Sequence, residues 1–215
     1  MSIKTFAHPK GGVGKSTSCY NYCIAKQSEN EDFIVLDLDG QHTVSMLNNI
    51  RVQNGLPSLN IKIFDNTTAL IDFLNNNQDK NIVIDTGGFD SAYNRIAVAY
   101  SDLVIVPTSE SPVEQMRIFD FSNILKDIMK EVQRDINTYI LLNRVNHAYS
   151  DKTLTSIKAS FDYEPYKFLN TVIRDRVDYK FSFTSGESVI ETKKDIKAVQ
   201  EIISLYEEIK GLLTL

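Results

Sequence analysis

The sequence has little cysteine, no excess of basic charge and no long hydrophobic run. Its two cysteines, Cys19 and Cys23, and its three histidines show no metal-ligand spacing, which excludes a disulfide framework and a zinc-finger pattern. No segment approaches the ~18 uninterrupted apolar residues of a membrane span, and no apolar signal core opens the chain. We therefore expect a soluble, unprocessed cytoplasmic protein with reduced thiols.

Charge limits the partners that the whole surface can attract. Lys and Arg number 23 and Asp and Glu number 28, for a net charge of −5, which is the wrong sign for coating nucleic acid through bulk charge. A local basic face is still compatible with this total. The 215 residues contain no repeat and no linker, so we expect one domain with a full core over residues 1–215.

Short apolar runs alternate with longer segments of helical spacing. The runs cover residues 3–7, 33–38, 61–64, 82–84, 103–106 and 139–142. Their continuous hydrophobicity is typical of strands covered on both faces. The alternation predicts an α/β fold, a doubly wound and mostly parallel sheet flanked by helices, with a ligand site beyond the carboxyl ends of the strands.

Spacing also predicts where particular helices and loops lie. One helix is expected over residues 113–132 and another over residues 196–213. The first has a single apolar stripe formed by Met116, Phe119, Ile124, Ile128 and Val132. Residues 48–60 are expected to form an irregular surface loop.

A glycine-rich segment joins the first predicted strand to the following helix. It reads Pro9-Lys10-Gly11-Gly12-Val13-Gly14-Lys15-Ser16-Thr17. Its glycines let consecutive backbone N–H groups curl around an anion, and the helix directs its positive end at the same point. In such a loop Lys15 reaches the β- and γ-phosphates, Ser16 binds Mg²⁺ and Thr17 contacts the α-phosphate. A glycine-rich turn with solvated lysines is the alternative, but it leaves the strand and helix on either side unexplained.

The second lysine of this segment distinguishes it from the common phosphate loop. Pro9 stands where G-x-x-x-x-G-K-[ST] has its first glycine, and Lys10 follows. In this K-G-G-x-x-K-[ST] form the chain resembles the ParA/MinD family of deviant Walker A ATPases. The resemblance implies a P-loop ATPase that binds ATP or ADP with Mg²⁺ and forms an ATP-dependent sandwich homodimer. Lys10 would reach the partner's nucleotide in that dimer.

The resemblance also implies acidic residues around the phosphates. Asp37 and Asp39 belong to an element similar to the family's D-x-D-P-Q, and alternation along a strand places them on one side. Asp39 would act with Lys10 and Lys15 in catalysis, at the attacking water and the Mg²⁺ shell, with Asp37 supporting it. Asp85 ends an apolar strand in the Walker B arrangement and would hold Mg²⁺. The residues after it, 86–88, are expected to form an open, flexible loop.

Two further sets of residues are assigned by the same resemblance. Asn143 and Arg144 occupy the exit of the sixth predicted strand, where family members contact the adenine. Family dimers bind double-stranded DNA without sequence preference through basic residues in the C-terminal half, and the candidates here are Arg174, Arg176, Lys180, Lys193, Lys194 and Lys197. Solvated surface explains each of these six equally well.

Three functional hypotheses follow. The first is a plasmid-partition ATPase of the small ParA type, without an N-terminal helix-turn-helix domain because the phosphate loop begins near residue 9. Its ATP-bound dimer would associate with the nucleoid, and a ParB-like or other centromere-binding adaptor would stimulate hydrolysis. The second is a MinD-like ATPase that positions protein cargo, with membrane binding disfavoured by the mixed polar face of the last helix. The third is a dethiobiotin-synthetase-like ligase, for which no second anchoring motif is present.

Overall fold

The computed structural model describes residues 1–88, 90–161 and 165–213. In these residues seven strands form one sheet of order β3-β2-β4-β1-β5-β6-β7, and every neighbouring pair is parallel. The strands are β1 (Ser2–Phe6), β2 (Ile34–Leu38), β3 (Ile61–Lys62), β4 (Asn81–Thr86), β5 (Leu103–Thr108), β6 (Asn137–Val145) and β7 (Tyr166–Arg174). This arrangement confirms the predicted parallel α/β fold.

Helices connect the strands and cover both faces of the sheet. They are α1 (Lys15–Ser28), α2 (Thr43–Gln53), α3 (Thr67–Asn76), α4 (Ala92–Tyr100), α5 (Pro112–Val132), α6 (Asp151–Ser160), α7 (Asp178–Phe181), α8 (Val189–Thr192) and α9 (Ile196–Leu212), with a 3-10 helix at Ser182–Ser185. The local sequence determines where several of these helices begin. Ser91, Ser111 and Ser150 each accept a backbone N–H of the first helical turn, which satisfies a donor that the helix itself leaves free.

Alternation along the strands divides the core between the two faces. Ile105 packs in the cluster formed with α1 and α9, whereas its neighbours Val104 and Val106 pack in the cluster formed with α5. Side chains of the β4 residues Ile82 and Ile84 lie in a third cluster, with α3 and α4. Within the described ranges, none of the helices has the length and hydropathy needed to cross a bilayer.

Two expectations about elements were wrong in part, and one strand was not predicted. Residues 48–53 belong to α2, and a seventh strand, β7, precedes the last helices. The stripe assigned to α5 is wrong only in its first half, because Met116 and Phe119 are exposed, whereas Ile124, Ile128 and Val132 pack in the core as predicted. The outer side of α5 is itself apolar, so periodicity along the helix does not show which stripe meets the sheet.

Candidate functional site

A cleft of about 620 Å³ lies beyond the carboxyl ends of the central strands. The loop between β1 and α1 forms one side of it, and α1 begins at Lys15. Gly12 and Gly14 have φ angles of 81° and 94°, a left-handed conformation that glycine adopts without a steric cost. Ser16 and Thr17 in the first turn of α1 also line the cleft. The loop and the helix N-terminus therefore have the arrangement that binds phosphate.

Two glycines allow neighbouring chain segments to approach this loop. A Cβ atom on Gly14 would lie 2.2 Å from the Asn143 amide nitrogen, and one on Gly88 would lie 2.4 Å from the Gly11 nitrogen. Gly88 therefore packs directly against the phosphate loop. The prediction of an open loop after Asp85 is wrong at Gly88, because the absence of a side chain there allows close contact with the phosphate loop.

Lys15 is buried at the base of the phosphate loop. Its Nζ donates a hydrogen bond to the Lys10 carbonyl at 3.1 Å, and its side chain lies close enough to Asp85 and Asp39 for both to act on its charge. Burial lowers the pKa of Lys15, while the two carboxylates oppose that shift. A bound phosphate would supply further negative charge to this ammonium group.

Asp85 lies at the end of β4, where burial disfavours its negative charge. It is fully buried, and no hydrogen bond of regular geometry reaches either carboxylate oxygen from the described residues. Burial raises its pKa to about 8, although the nearby Ser16 hydroxyl and Lys15 act in the opposite direction. A divalent cation beside these oxygens would remove this penalty, so Asp85 and Ser16 fit a Mg²⁺ ion.

Asp37 and Asp39 lie on β2 and just after it. Asp37 is beside Asp85 in the β2–β4 register, and one of its oxygens accepts hydrogen bonds from the Ser45 N–H and hydroxyl at 2.9 and 2.6 Å. Asp39 is half-buried at the edge of the cleft. The described residues contain no group of three or more His, Cys, Asp or Glu side chains able to hold a metal. A Mg²⁺ ion here would take phosphate and water oxygens for its remaining ligands.

Lys10 is directed away from the cleft. Its Nζ contacts Glu114 of α5 at 2.6 Å, its side chain is 43% exposed, and it lines a second cavity of about 480 Å³. Its backbone N–H donates to His8 Nδ1 at 3.0 Å. Burial first, and Lys15 second, lower the pKa of His8 to about 3, so the ring is neutral at pH 7. Sequence reasoning missed Glu114, since nothing local links it to residue 10.

Family membership is decided by the match of residues 4–189 to the model described as the CobQ/CobB/MinD/ParA nucleotide binding domain. The chain belongs to this family. It is a ParA/MinD-family ATPase with a nucleotide-binding domain. A search of curated protein sequences finds no match.

Solved structures of the ParA/MinD group share the fold. The ParA family ATPase from Chlorobium tepidum has a TM-score of 0.66 and 16% identity, covering 95% of this chain and 97% of that chain. MinD from Pyrococcus horikoshii, complexed with Mg-ADP, has a TM-score of 0.71 and 15% identity, with coverage of 99% and 97%. An McdA–ATP complex from Cyanothece has a TM-score of 0.73 and 12% identity, with coverage of 98% and 96%.

The structure of this ParA/MinD-family chain brings Asn143 and Arg144 to the phosphate loop. Asn143 Nδ2 donates to the Val13 carbonyl at 2.7 Å, and an Arg144 guanidinium nitrogen donates to the Gly12 carbonyl at 3.0 Å. Both residues also line the cleft. Their side chains therefore contact the loop itself, in the region where the sequence predicted adenine contacts.

The six basic candidates for DNA binding divide into two groups. Arg174, Arg176 and Lys180 line the cleft beside the phosphate loop, whereas Lys193, Lys194 and Lys197 are exposed around the start of α9. Arg174 donates to the carbonyls of residues 146 and 149, and Arg176 pairs with Asp195 and Glu201. The two arginines therefore already have partners within the chain. The unpredicted strand β7 ends at Arg174, which places both beside the cleft.

Proposed function

We propose that this ATPase is a DNA-partitioning switch of the ParA type. In this proposal residues 1–215 form one domain, Mg-ATP drives formation of a face-to-face homodimer, the dimer binds double-stranded DNA without sequence preference, and a DNA-bound adaptor stimulates hydrolysis and release. The observation that carries the proposal is the position of Lys10. Lys10 belongs to the phosphate loop, yet its ammonium group contacts Glu114 outside the cleft of its own chain.

The geometry around Lys10 supports a role in trans. Lys15 already supplies a buried ammonium group to its own cleft. Lys10 is half-exposed on the neighbouring cavity, so a second copy could present a nucleotide to it after the contact with Glu114 is exchanged for a phosphate contact. Phosphoryl transfer depends on cations placed where negative charge develops. A lysine from the partner would make hydrolysis depend on dimerisation.

Within each site, the proposed roles follow the contacts of the chain. The N–H groups of residues 11–17 would bind the phosphates, with Lys15 at the β- and γ-phosphates. Ser16 and Asp85 would hold Mg²⁺, which would neutralise charge on the phosphates. Asp39, at the cleft edge, would orient the attacking water, and Asp37 would position the start of α2 through Ser45.

A group of exposed lysines supports the proposal that the dimer binds DNA. Lys193, Lys194 and Lys197 lie within five consecutive residues at the α8–α9 junction, and their ammonium groups have no ion pair among the described residues. Each phosphate neutralised in a complex releases counterions and adds about −0.9 to the slope of log K against log salt. Because Arg174 and Arg176 are held internally, we assign the DNA contacts to these lysines and to Lys180.

A protein-cargo role is the second candidate function. The similarity of the fold to MinD and McdA favours it. A membrane role is less compatible with α9, because Ile202, Leu205 and Ile209 on its apolar side are buried in the core. The helix that resembles an amphipathic anchor in sequence is therefore already committed to packing on the sheet.

DNA binding by charge-reversal variants tests the partition hypothesis. The variant K193E/K194E/K197E should lose ATP-dependent binding to a random duplex in fluorescence anisotropy, with a shallower salt dependence. K80E/K126E/K130E changes the net charge equally at other exposed positions and should still bind. Equal loss in both variants, or binding by neither ATP- nor ADP-loaded wild-type protein, would contradict DNA as the partner. ATP-dependent binding of wild-type protein to anionic vesicles without DNA binding would favour the second candidate.

A further inference from the structure

Arg144 has a strained backbone at the point where β6 meets the phosphate loop. Its φ angle is 58°, a left-handed conformation that is unfavourable for an arginine. The β6–β7 pairing also changes register between Leu142 and Val145. A conformation of this kind persists where surrounding contacts require it.

The strain has a visible consequence for side-chain direction. Successive residues of a regular strand point to opposite faces, yet the consecutive residues Asn143 and Arg144 both reach the phosphate loop. Asn143 donates to the Val13 carbonyl, and Arg144 donates to the Gly12 carbonyl. The left-handed residue and the register change break the alternation and bring two donors to adjacent carbonyls.

Those two carbonyls matter because the loop binds phosphate through its N–H groups. A carbonyl that rotated inward would replace a donor by an acceptor and repel the anion. The peptide that follows Gly12 can rotate readily, because glycine has few steric limits on its backbone angles and Gly12 already has a φ of 81°. Two other carbonyls of the loop also accept hydrogen bonds: that of Lys10 from Lys15 Nζ, and that of Gly14 from the Ser18 N–H.

We propose that Arg144 is a positioning residue that holds the Gly12 carbonyl outward and keeps the phosphate loop ready for phosphate before nucleotide binds. The proposal deepens the nucleotide-binding role proposed above for residues 10–17 and rests on it. The Gly12 carbonyl is the hydrogen-bond partner of Arg144 among the described residues. The guanidinium charge beside the loop adds to the attraction for an anion.

This role makes a different prediction from contact with the base. A residue that shapes the loop affects every ligand with a phosphate chain, whereas a residue that touches adenine affects only ligands with a base. Inorganic tripolyphosphate with Mg²⁺ is therefore the diagnostic probe, compared with Mg-ATP by titration calorimetry. Arg144→Asn is the main variant, because asparagine tolerates a left-handed backbone but is too short to reach Gly12. Arg144→Lys retains the charge and one donor group.

We expect Arg144→Asn to lower the affinities for Mg-ATP and for tripolyphosphate by a similar factor. That factor should be about tenfold, for the loss of one charged hydrogen bond. Arg144→Lys should recover part of that loss. The steady-state KM for ATP should rise while kcat at saturation changes little, because bound phosphate then orders the loop itself. Faster amide exchange of residues 10–15 in the nucleotide-free variant should accompany these changes.

Controls separate a positioning role of Arg144 from a general effect of its charge. They also separate failure of this proposal from failure of the proposed function. Lys126→Asn removes a cation from an exposed position of α5 that does not line the cleft. It should leave tripolyphosphate affinity within about twofold of wild type, because the solvent screens a distant surface charge. Loss of ATP affinity with unchanged tripolyphosphate affinity in Arg144→Asn, or no loss of either, would overturn the proposal. If wild-type protein binds neither ligand, the nucleotide site itself is wrong. Melting curves confirm that each variant is folded.

Discussion

Lys15 is the buried cation of the proposed phosphate site. It is buried against the loop, and its pKa is lowered by that burial despite two nearby carboxylates. Lys15→Ala should reduce Mg-ATP affinity by about 100-fold, equivalent to about 2.7 kcal/mol. Calorimetric titration measures this directly. Lys180→Ala, at the rim of the same cleft, is the matched control, and retained tight binding by Lys15→Ala would contradict the assignment of the loop.

Lys4 provides a test far from the nucleotide. Burial, and then Lys26, lower its pKa to about 8, whereas an unfolded lysine titrates near 10.4. Between these values the unfolded chain binds the extra proton, so stability rises with pH across that range. Lys4→Met should remove this rise and increase the free energy of unfolding at pH 7 by about 1–3 kcal/mol. Lys62→Met, on an exposed side chain, should change neither.

Urea unfolding at pH 7, 8 and 10 distinguishes these outcomes. A Lys4→Met protein that keeps the wild-type dependence between pH 8 and 10 would show that another group causes it.

The sequence predicts the chemical identity of site residues better than their contacts. Most of the phosphate loop and Asp39 line one cleft, and Asp85 lies close enough to Lys15 to act on its charge, as the strand-and-loop pattern indicated. The pairing of Lys10 with Glu114 joins residues 104 positions apart, and no local pattern encodes it. Arg176 looks like a free cation in sequence, but folding brings Glu201 to it.

The amphipathic sequence of helix α9 is compatible with packing in the core and with attachment to a membrane, and variants of this helix distinguish the two. Ile202 and Ile203 are adjacent and chemically identical, yet they are 1% and 48% exposed. Ile202→Ala should lower the free energy of unfolding by about 2–5 kcal/mol because it leaves a cavity. Ile203→Ala should cost less than about 1 kcal/mol. Similar losses from the two variants, measured by urea denaturation, would contradict the orientation of this helix.

Elements were predicted well where one pattern dominates. Five of the six expected strands, β1, β2, β4, β5 and β6, lie inside the sheet, where continuous apolar residues identify them, whereas the sixth, β3, lies at an edge. Strand β7 lies at the sheet edge and has only two buried residues, Leu169 and Ile173, so it lacks such a run. Helix α2 begins at Thr43 and has few buried residues, which explains why residues 48–53 resemble a loop. Tertiary contacts, rather than local sequence, decide these cases.

The whole molecule acts as a switch only if nucleotide changes its association state. One copy already contains a phosphate loop, a buried lysine and a buried carboxylate, while Lys10 points to a neighbouring surface. Lys10→Ala should bind Mg-ATP with nearly wild-type affinity, because Lys15 remains, but it should hydrolyse ATP more slowly and dimerise poorly. Normal ATP-induced dimerisation and a normal rate in this variant would exclude the role of Lys10 in trans.

Molar mass in solution, measured by light scattering with Mg-ATP and with Mg-ADP, tests the central claim most directly. Asp39→Ala should accumulate the ATP-bound state, because binding is retained and hydrolysis is lost. We expect twice the chain mass of 24.4 kDa for Asp39→Ala with Mg-ATP, and the single mass with Mg-ADP or when Lys10→Ala is added. A chain that remains monomeric when saturated with Mg-ATP would contradict the account.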